Sequence, residues 1–207
     1  MAGVTVRIGL VDDHPLVIGG LRAALSAITG LEVAATAGTL ADARTLLARG
    51  DLDVVLLDVR LADGNALSLL GPERVPPPAV LVLSSFTSTQ YVSAAISRGA
   101  QGYLLKTAPI EEVVAAIRTV AGGGAWFTAE QLRTSARGGV TLTPRERQVV
   151  ELVLTGATND EIAARLGITT KTIEAHLSRM FQRFDVMSRL ELGLRAEREG
   201  WLDLEPR

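Results

Sequence analysis

The segment Val54-Val55-Leu56-Leu57-Asp58 decides the fold of this chain, because four apolar residues run directly into one carboxylate. Turn residues bound the run on both sides, Arg49-Gly50-Asp51 before it and Ala62-Asp63-Gly64 after it. A short apolar run between turns is typical of a strand buried on both faces, as in a parallel sheet. Asp58 is therefore predicted at the carboxyl edge of the sheet, where open α/β sheets bind their ligands.

Strand and helix patterns alternate outward from this segment over residues 1–121. Helices separate the strands, and the first of them opens at Pro15, where a missing N–H costs little. Such alternation implies right-handed βαβ units and a flavodoxin-like, doubly wound, five-stranded parallel sheet of order 2-1-3-4-5. The predicted strands are Val4–Val11, Val33–Ala37, Val54–Asp58, Val80–Ser84 and Gly102–Leu105.

Composition excludes several classes of protein. The 207 residues include no Cys, which rules out disulfides, thiolate metal sites and cysteine nucleophiles. No apolar run approaches the roughly 18 residues of a membrane span, and the N-terminus lacks a signal peptide, so we expect a cytoplasmic protein with no membrane partner. The net charge of −2 gives no global support to nucleic-acid binding, which must depend on a local patch.

Five polar residues are predicted at the same edge of the sheet. Asp12 and Asp13 follow the first strand, and Asp58, Ser84 and Lys106 end the third, fourth and fifth. Three converging carboxylates repel one another unless a cation lies among them, and oxygen ligands suit Mg²⁺. Asp58 is then a reasonable phosphoryl acceptor, with Mg²⁺, Lys106 and Ser84 on the phosphoryl oxygens. Each residue alone fits a helix cap or an ordinary surface position, but five at one edge favour a site.

The spacing of apolar residues changes in the second half of the chain. Two glycine clusters, Gly122-Gly123-Gly124 and Gly138-Gly139, predict a linker over 122–139 with one short helix at Thr128–Ala136. Residues 140–207 then predict a small all-α domain of four helices, two of them opened by capping boxes. A short helix, a turn with Gly167 and a longer helix form the helix-turn-helix pattern.

The outer face of the predicted helix 170–184 carries Lys171, Glu174, Ala175 and Ser178 at helical spacing. Such residues suit a helix in the major groove, where a lysine meets phosphate or guanine and a glutamate accepts from cytosine. Five cations against two anions give the segment 165–189 a net charge of +3. The same charges also fit an ordinary solvated helix face, so this alternative stays open.

Four stretches of the first 120 residues carry a family resemblance: Leu10-Val11-Asp12-Asp13-His14-Pro15, Leu57-Asp58-Val59-Arg60-Leu61, Val82-Leu83-Ser84 and Gly99-Ala100-Gln101-Gly102-Tyr103-Leu104-Leu105-Lys106. Together they resemble the receiver domain of two-component response regulators. It implies that a histidine kinase phosphorylates Asp58 and that Ser84, Tyr103 and Lys106 bind or report the phosphoryl group. The implied Mg²⁺ ligands are Asp12, Asp13, Asp58 and the Arg60 carbonyl. Ala62 and Thr107 depart from the family, because proline is frequent at both positions.

The C-terminal part resembles the LuxR-type helix-turn-helix domain, through residues 142–147, 159–168 and 170–177. A receiver followed by this module is the NarL/FixJ class of response regulator. The resemblance places dimer contacts on Leu190–Arg198, and Asp185 replaces the glycine usual after the recognition helix. The implied DNA-binding residues are Lys171, Glu174, Ala175, Ser178 and Arg179.

We therefore expect a phosphorylation-gated transcription factor that is not an enzyme, forms a homodimer and binds promoter half-sites of double-stranded DNA. The alternative is an atypical receiver that binds DNA without phosphorylation of Asp58. A phosphohydrolase using an aspartyl intermediate usually needs an acid two residues after the nucleophile, where Arg60 stands. A nucleotide-binding flavodoxin-like module would need a glycine-rich phosphate loop, and Asp12-Asp13-His14-Pro15 occupies that place.

Overall fold

A computed structural model describes residues 5–71, 78–136, 140 and 142–203. The chain forms two compact units, Met1–Gly139 and Val140–Arg207. Residues 122–136, which the glycine clusters predict as linker, belong to the first unit. Across the described ranges, no helix is both long and apolar enough to cross a membrane.

The first unit is built on a five-stranded parallel sheet with the order β2-β1-β3-β4-β5, which confirms the predicted fold class. β3 lies in the middle, and its four residues are buried on both faces. The strands are β1 (Val6–Val11), β2 (Leu31–Ala37), β3 (Val54–Leu57), β4 (Ala79–Ser84) and β5 (Gly102–Leu105), and the helices between and after them are α1 (Pro15–Ser26), α2 (Leu40–Leu47), α3 (Thr89–Ser97) and α4 (Ile110–Ala121).

The connection after β3 is irregular. Arg60–Leu61 and Gly64–Asn65 form a short antiparallel ladder, and Ala66–Leu69 forms one turn of 3₁₀ helix. Asp63 accepts from the Leu40 N–H at 2.9 Å and thereby ties this connection to the start of α2. The ladder positions the main chain directly after Asp58.

The residues after α4 return to the sheet at its β5 edge. The Trp126 N–H donates to the Gln101 carbonyl at 2.8 Å, and the Tyr103 N–H donates to the Trp126 carbonyl at 3.0 Å. A Cβ at Gly102 would lie 3.0 Å from that same carbonyl, so this close approach requires glycine. Trp126 packs against the core of the unit, and the helix that follows it, α5 (Ala129–Ala136), packs against α3.

The second unit contains four helices, α6 (Pro144–Leu154), α7 (Asn159–Leu166), α8 (Thr170–Phe184) and α9 (Arg189–Glu199). Both predicted capping boxes form, at the starts of α6 and α7. Gly167 ends α7 with a left-handed conformation, and α8 begins three residues later. The buried stripe of α8 faces a core that includes Val149, Ile162, Leu192 and Trp201.

The capping box of Glu146 predicts that the second unit becomes less stable in acid. Burial opposes ionisation, but hydrogen bonds from Thr143 and the Arg183 ion pair at 2.7 Å outweigh it and lower the pKa of Glu146 below its usual 4.5. A lowered native pKa stabilises the fold above the unfolded pKa, and the contribution is lost as the pH falls through the native value. We expect Glu146→Gln, which can keep the cap but loses the ion pair, to lower the free energy of unfolding by about 0.5–1 kcal/mol at pH 7.

Urea denaturation of both proteins at several pH values checks this result. The difference should shrink as the pH falls from the usual pKa of 4.5 through the lower native pKa of Glu146, because protonated Glu146 then resembles glutamine. If the difference in the free energy of unfolding stays constant with pH, the substitution acts through packing and not through the charge of Glu146.

Asp185 ends α8 in the left-handed region, with φ 50° and ψ 55°, at the position where the resemblance implies glycine is usual. This conformation strains most residues that carry a Cβ, and the Asp185 side chain is exposed. We expect Asp185→Gly to raise the free energy of unfolding by about 1 kcal/mol, whereas Asp185→Ala should lower it. Thermal unfolding followed by calorimetry compares the two variants, and equal midpoints would show that this helix end carries no strain.

Candidate functional site

The acidic residues predicted at the carboxyl edge of the sheet meet in one place. Asp12, Asp13, His14 and Asp58 each offer a ligand atom, and these atoms all lie within 4.8 Å of one another. Asp12 and Asp58 are 5% exposed. The loop after β1 carries the first three residues and the end of β3 carries Asp58, so the neighbouring positions of these strands create the cluster.

Lys106 closes the acidic cluster from the end of β5. Its ammonium lies 2.6 Å from Asp12 Oδ2 and 2.7 Å from Asp58 Oδ2. Burial alone would lower the pKa of Lys106, but the bonds to both carboxylates outweigh burial and raise it. Burial raises the pKa of Asp58, although Lys106 opposes this effect. A charged Asp58 therefore depends on cations placed close to it.

Lys106 does not satisfy every carboxylate of the cluster, and a divalent ion would bind them more completely. Asp13 Oδ1 is buried and makes no hydrogen bond within the part of the chain that the structure describes, although His14 Nδ1 lies 2.8 Å away. A buried carboxylate oxygen without a hydrogen bond is costly unless an ion binds it. Oxygen donors with one open side are the set that Mg²⁺ prefers.

Ser84 and Tyr103, which the resemblance implies bind or report the phosphoryl group, are both buried, and both contact Phe86 in the loop after β4. Ser84 Oγ accepts from the Phe86 N–H at 3.1 Å, and the Tyr103 hydroxyl donates to the Phe86 carbonyl at 2.7 Å. Burial raises the pKa of Tyr103 to about 12, so its hydroxyl stays a donor at neutral pH. Phe86 joins the two residues. Nothing in the sequence marks Phe86 for this role, because its main-chain groups make both hydrogen bonds.

Arg60 turns its side chain away from the acidic cluster. Its Nε donates to the Tyr91 hydroxyl at 2.9 Å, and its guanidinium carbon lies 4.8 Å from the centre of the Phe86 ring. The first contact holds the segment after Asp58 against α3, and the second holds it against the loop between β4 and α3. The predicted ligand of Arg60 is its main-chain carbonyl and not this side chain.

The residues predicted to bind DNA lie along one exposed face of α8. Lys171, Glu174, Ala175, Ser178 and Arg179 are all exposed, whereas the opposite stripe of α8 is buried. Because the apolar stripe of α8 packs into the core, the face predicted to bind DNA points outward.

Two cations of the positively charged segment 165–189 bind other residues of the second unit. Arg183 pairs with Glu146, and Arg189 donates to the Ala157 carbonyl and to Asn159. The net charge of +3 therefore overstates the positive charge offered to a ligand. Lys171 and Arg179 are the exposed cations of the predicted face.

Two family models match the chain. Residues 8–118 match the response regulator receiver domain, and residues 140–196 match the bacterial regulatory proteins of the luxR family. The first match assigns the α/β unit, with its acidic edge, to the receiver domains. The second assigns the helical unit to the luxR family of regulatory proteins.

Curated relatives extend the likeness over nearly the whole chain. The transcriptional regulatory protein MctR of Rhizobium johnstonii is 38% identical over 190 residues, which cover 87% of this chain and 88% of MctR. UhpA of Escherichia coli is 33% identical over 198 residues, covering 95% of this chain and all of UhpA. Among solved structures, RcsB in complex with DNA covers 93% of this chain and 98% of that chain at 21% identity and a TM-score of 0.64. The chain belongs to the response regulators of the NarL/FixJ class, and its relatives are transcriptional regulators rather than enzymes.

Proposed function

We propose that Asp58 accepts a phosphoryl group from a histidine kinase and that this modification controls DNA binding by α8. The convergence of Asp12, Asp13, Asp58 and Lys106 on one buried point carries the proposal. An Asp58 oxygen attacks phosphorus, the bond from phosphorus to the donor nitrogen breaks, and that nitrogen keeps the electron pair and takes up a proton. The reaction uses one phosphoryl group and leaves it on the protein.

Asp12, Asp13, Asp58 and the Arg60 carbonyl would hold Mg²⁺, which supplies positive charge against the phosphoryl oxygens. Lys106 would supply a second positive charge, and Ser84 could donate its hydroxyl to one oxygen. A cation-rich pocket stabilises the spreading negative charge of phosphoryl transfer.

Phosphorylation should favour a homodimer, because two linked helix-turn-helix domains bind paired half-sites far better than one does. Exposed Leu190 and Leu194 on α9 provide apolar surface for such a contact. RcsB, which shares the fold, has been solved bound to DNA. The regulator would act in the cytoplasm, where the kinase and the promoter are both accessible.

The test is the intact mass and solution molecular weight of the full chain with Mg²⁺ and a small phosphodonor. We expect one added phosphoryl group and a shift toward dimer, both dependent on Mg²⁺. If neither quantity changes, the alternative of an atypical receiver that binds DNA without phosphorylation replaces this proposal. DNA binding by the unmodified chain would then equal that of the treated chain.

A further inference from the structure

The exposed face of α8 holds one acid between two cations. Lys171 lies three residues before Glu174 and Arg179 lies five residues after it, and all three side chains are exposed. At a rise of about 1.5 Å per residue, the cations stand about 4.5 Å and about 7.5 Å from Glu174 along the helix axis. Contacts to phosphate need positive charge, and an acid at this position weakens them. A helix that bound DNA through its phosphates alone would gain nothing from Glu174.

The carboxylate of Glu174 is available to a ligand outside the chain. Among the residues that the structure describes, it forms no hydrogen bond and no ion pair. Two other acids of the second unit serve the fold. Asp160 accepts from the Thr170 hydroxyl at 2.6 Å and ties the start of α8 to α7, and Glu146 binds Arg183. The fold therefore uses these two acids and leaves Glu174 to other contacts.

Small side chains lie beside Glu174 on the exposed face. Ala175 follows it directly, and Ser178 lies one turn further along α8. Residues four apart on a helix are neighbours, but a serine is too short to cover the carboxylate. The longer glutamate therefore extends its oxygens furthest from the helix axis in this part of the face. In a major groove these oxygens would meet base edges before the neighbouring side chains do.

The four bases differ in what they offer a carboxylate in the major groove. Cytosine presents only the donor N4, whereas adenine places the acceptor N7 beside its donor N6. Guanine and thymine present acceptors. An ionised carboxylate can only accept, and it repels base acceptors and phosphate oxygens. Glu174 therefore favours cytosine and opposes the other three bases.

We propose that Glu174 selects cytosine at one position of each DNA half-site and lowers the affinity of the chain for other sequences. The inference rests on the proposed function and adds the base that α8 requires. A carboxylate placed against acceptors loses its water without gaining a hydrogen bond, so Glu174 acts chiefly by rejecting wrong sequences. Lys171 and Arg179 supply the attraction to DNA that Glu174 opposes.

Selection from a random DNA library tests the inference on the full chain, either treated with Mg²⁺ and beryllofluoride or untreated. We expect the wild type to enrich one invariant cytosine in each half-site. Glu174→Gln should enrich adenine at that position, because an amide can donate to N7 and accept from N6. Glu151→Gln is the matched control, since Glu151 is exposed on α6 and the change of charge is the same. This control should enrich the wild-type cytosine.

Fluorescence anisotropy on defined duplexes provides a second readout. Replacing the selected cytosine by thymine in one half-site should weaken binding of the wild type about 30-fold. Glu174→Gln should bind an unselected duplex about fivefold more tightly than the wild type, because its side chain no longer repels phosphate. Glu151→Gln should match the wild type on both duplexes.

The outcomes separate this inference from the proposed function. If the wild type and Glu174→Gln enrich the same bases at every position, the inference is overturned and the proposed function stands. If the cytosine depends on Glu174 but untreated chains select DNA as well as treated ones, the inference stands and control by Asp58 fails. If the treated wild type enriches no sequence, both fail.

Discussion

We expect Asp58→Asn to abolish the gain of a phosphoryl group that is proposed for the wild-type chain with Mg²⁺ and a phosphodonor, and the DNA affinity of the variant should not respond to the donor. Asparagine keeps the size of the side chain but cannot act as an anionic nucleophile. Since the proposed dimerisation would supply the gain in affinity, we expect the response of the wild type to be about 100-fold and that of Asp58→Asn to be absent. Intact mass and fluorescence anisotropy on selected DNA measure the two effects.

Asp42→Asn is the matched control, because Asp42 is exposed on α2 and the change of charge is the same. This control should gain mass and affinity as the wild type does. Peptide mapping that found the phosphoryl group of the Asp58→Asn chain on Asp12 or Asp13 would contradict the assignment of the acceptor.

We expect Lys171→Ala to lower the affinity for DNA by about 100-fold at physiological salt, since the proposed dimer would lose one charged contact at each of two half-sites. The slope of log affinity against log salt should fall by about 2, because two fewer counterions are released. Lys171 is exposed near the start of α8, where a helix in the major groove meets base edges. Titrations at several salt concentrations, on DNA selected with phosphorylated wild type, provide both numbers.

Arg44→Ala removes one exposed positive charge from α2 of the first unit and controls for the change in net charge. Its affinity and salt slope should match those of the wild type. A Lys171→Ala chain with wild-type affinity at every salt concentration would remove this face of α8 from the DNA interface.

Much of this architecture was predictable because strong local patterns agree with the global fold. The apolar run before Asp58 fixed a central strand, and the alternation with helices fixed the order of its neighbours. The carboxyl edge of the sheet then brought Asp12, Asp58 and Lys106 together. In the second unit, the capping boxes and the stripe of α8 specified both the helix starts and the exposed face.

Other features depend on contacts that no local pattern reveals. The bond from Tyr103 to Phe86 uses a main-chain carbonyl, which any residue could supply. The docking of α5 depends on Gln131, whose spacing from Thr128 is that of a capping box and marks the helix start but not its partner. The engagement of Arg183 by Glu146 joins residues 37 positions apart, so sequence charge alone overstated the basic patch.

The pairing of Trp126 with β5 also protects the open side of the sheet. Exposed edge strands attract other strands and promote aggregation, and here the chain covers its own edge with a single residue and α5. A fragment ending at Ala121 would leave the Tyr103 N–H and the Gln101 carbonyl without these partners. We expect such a fragment to self-associate on size-exclusion chromatography, and one extended to Ala136 to stay monomeric when unphosphorylated.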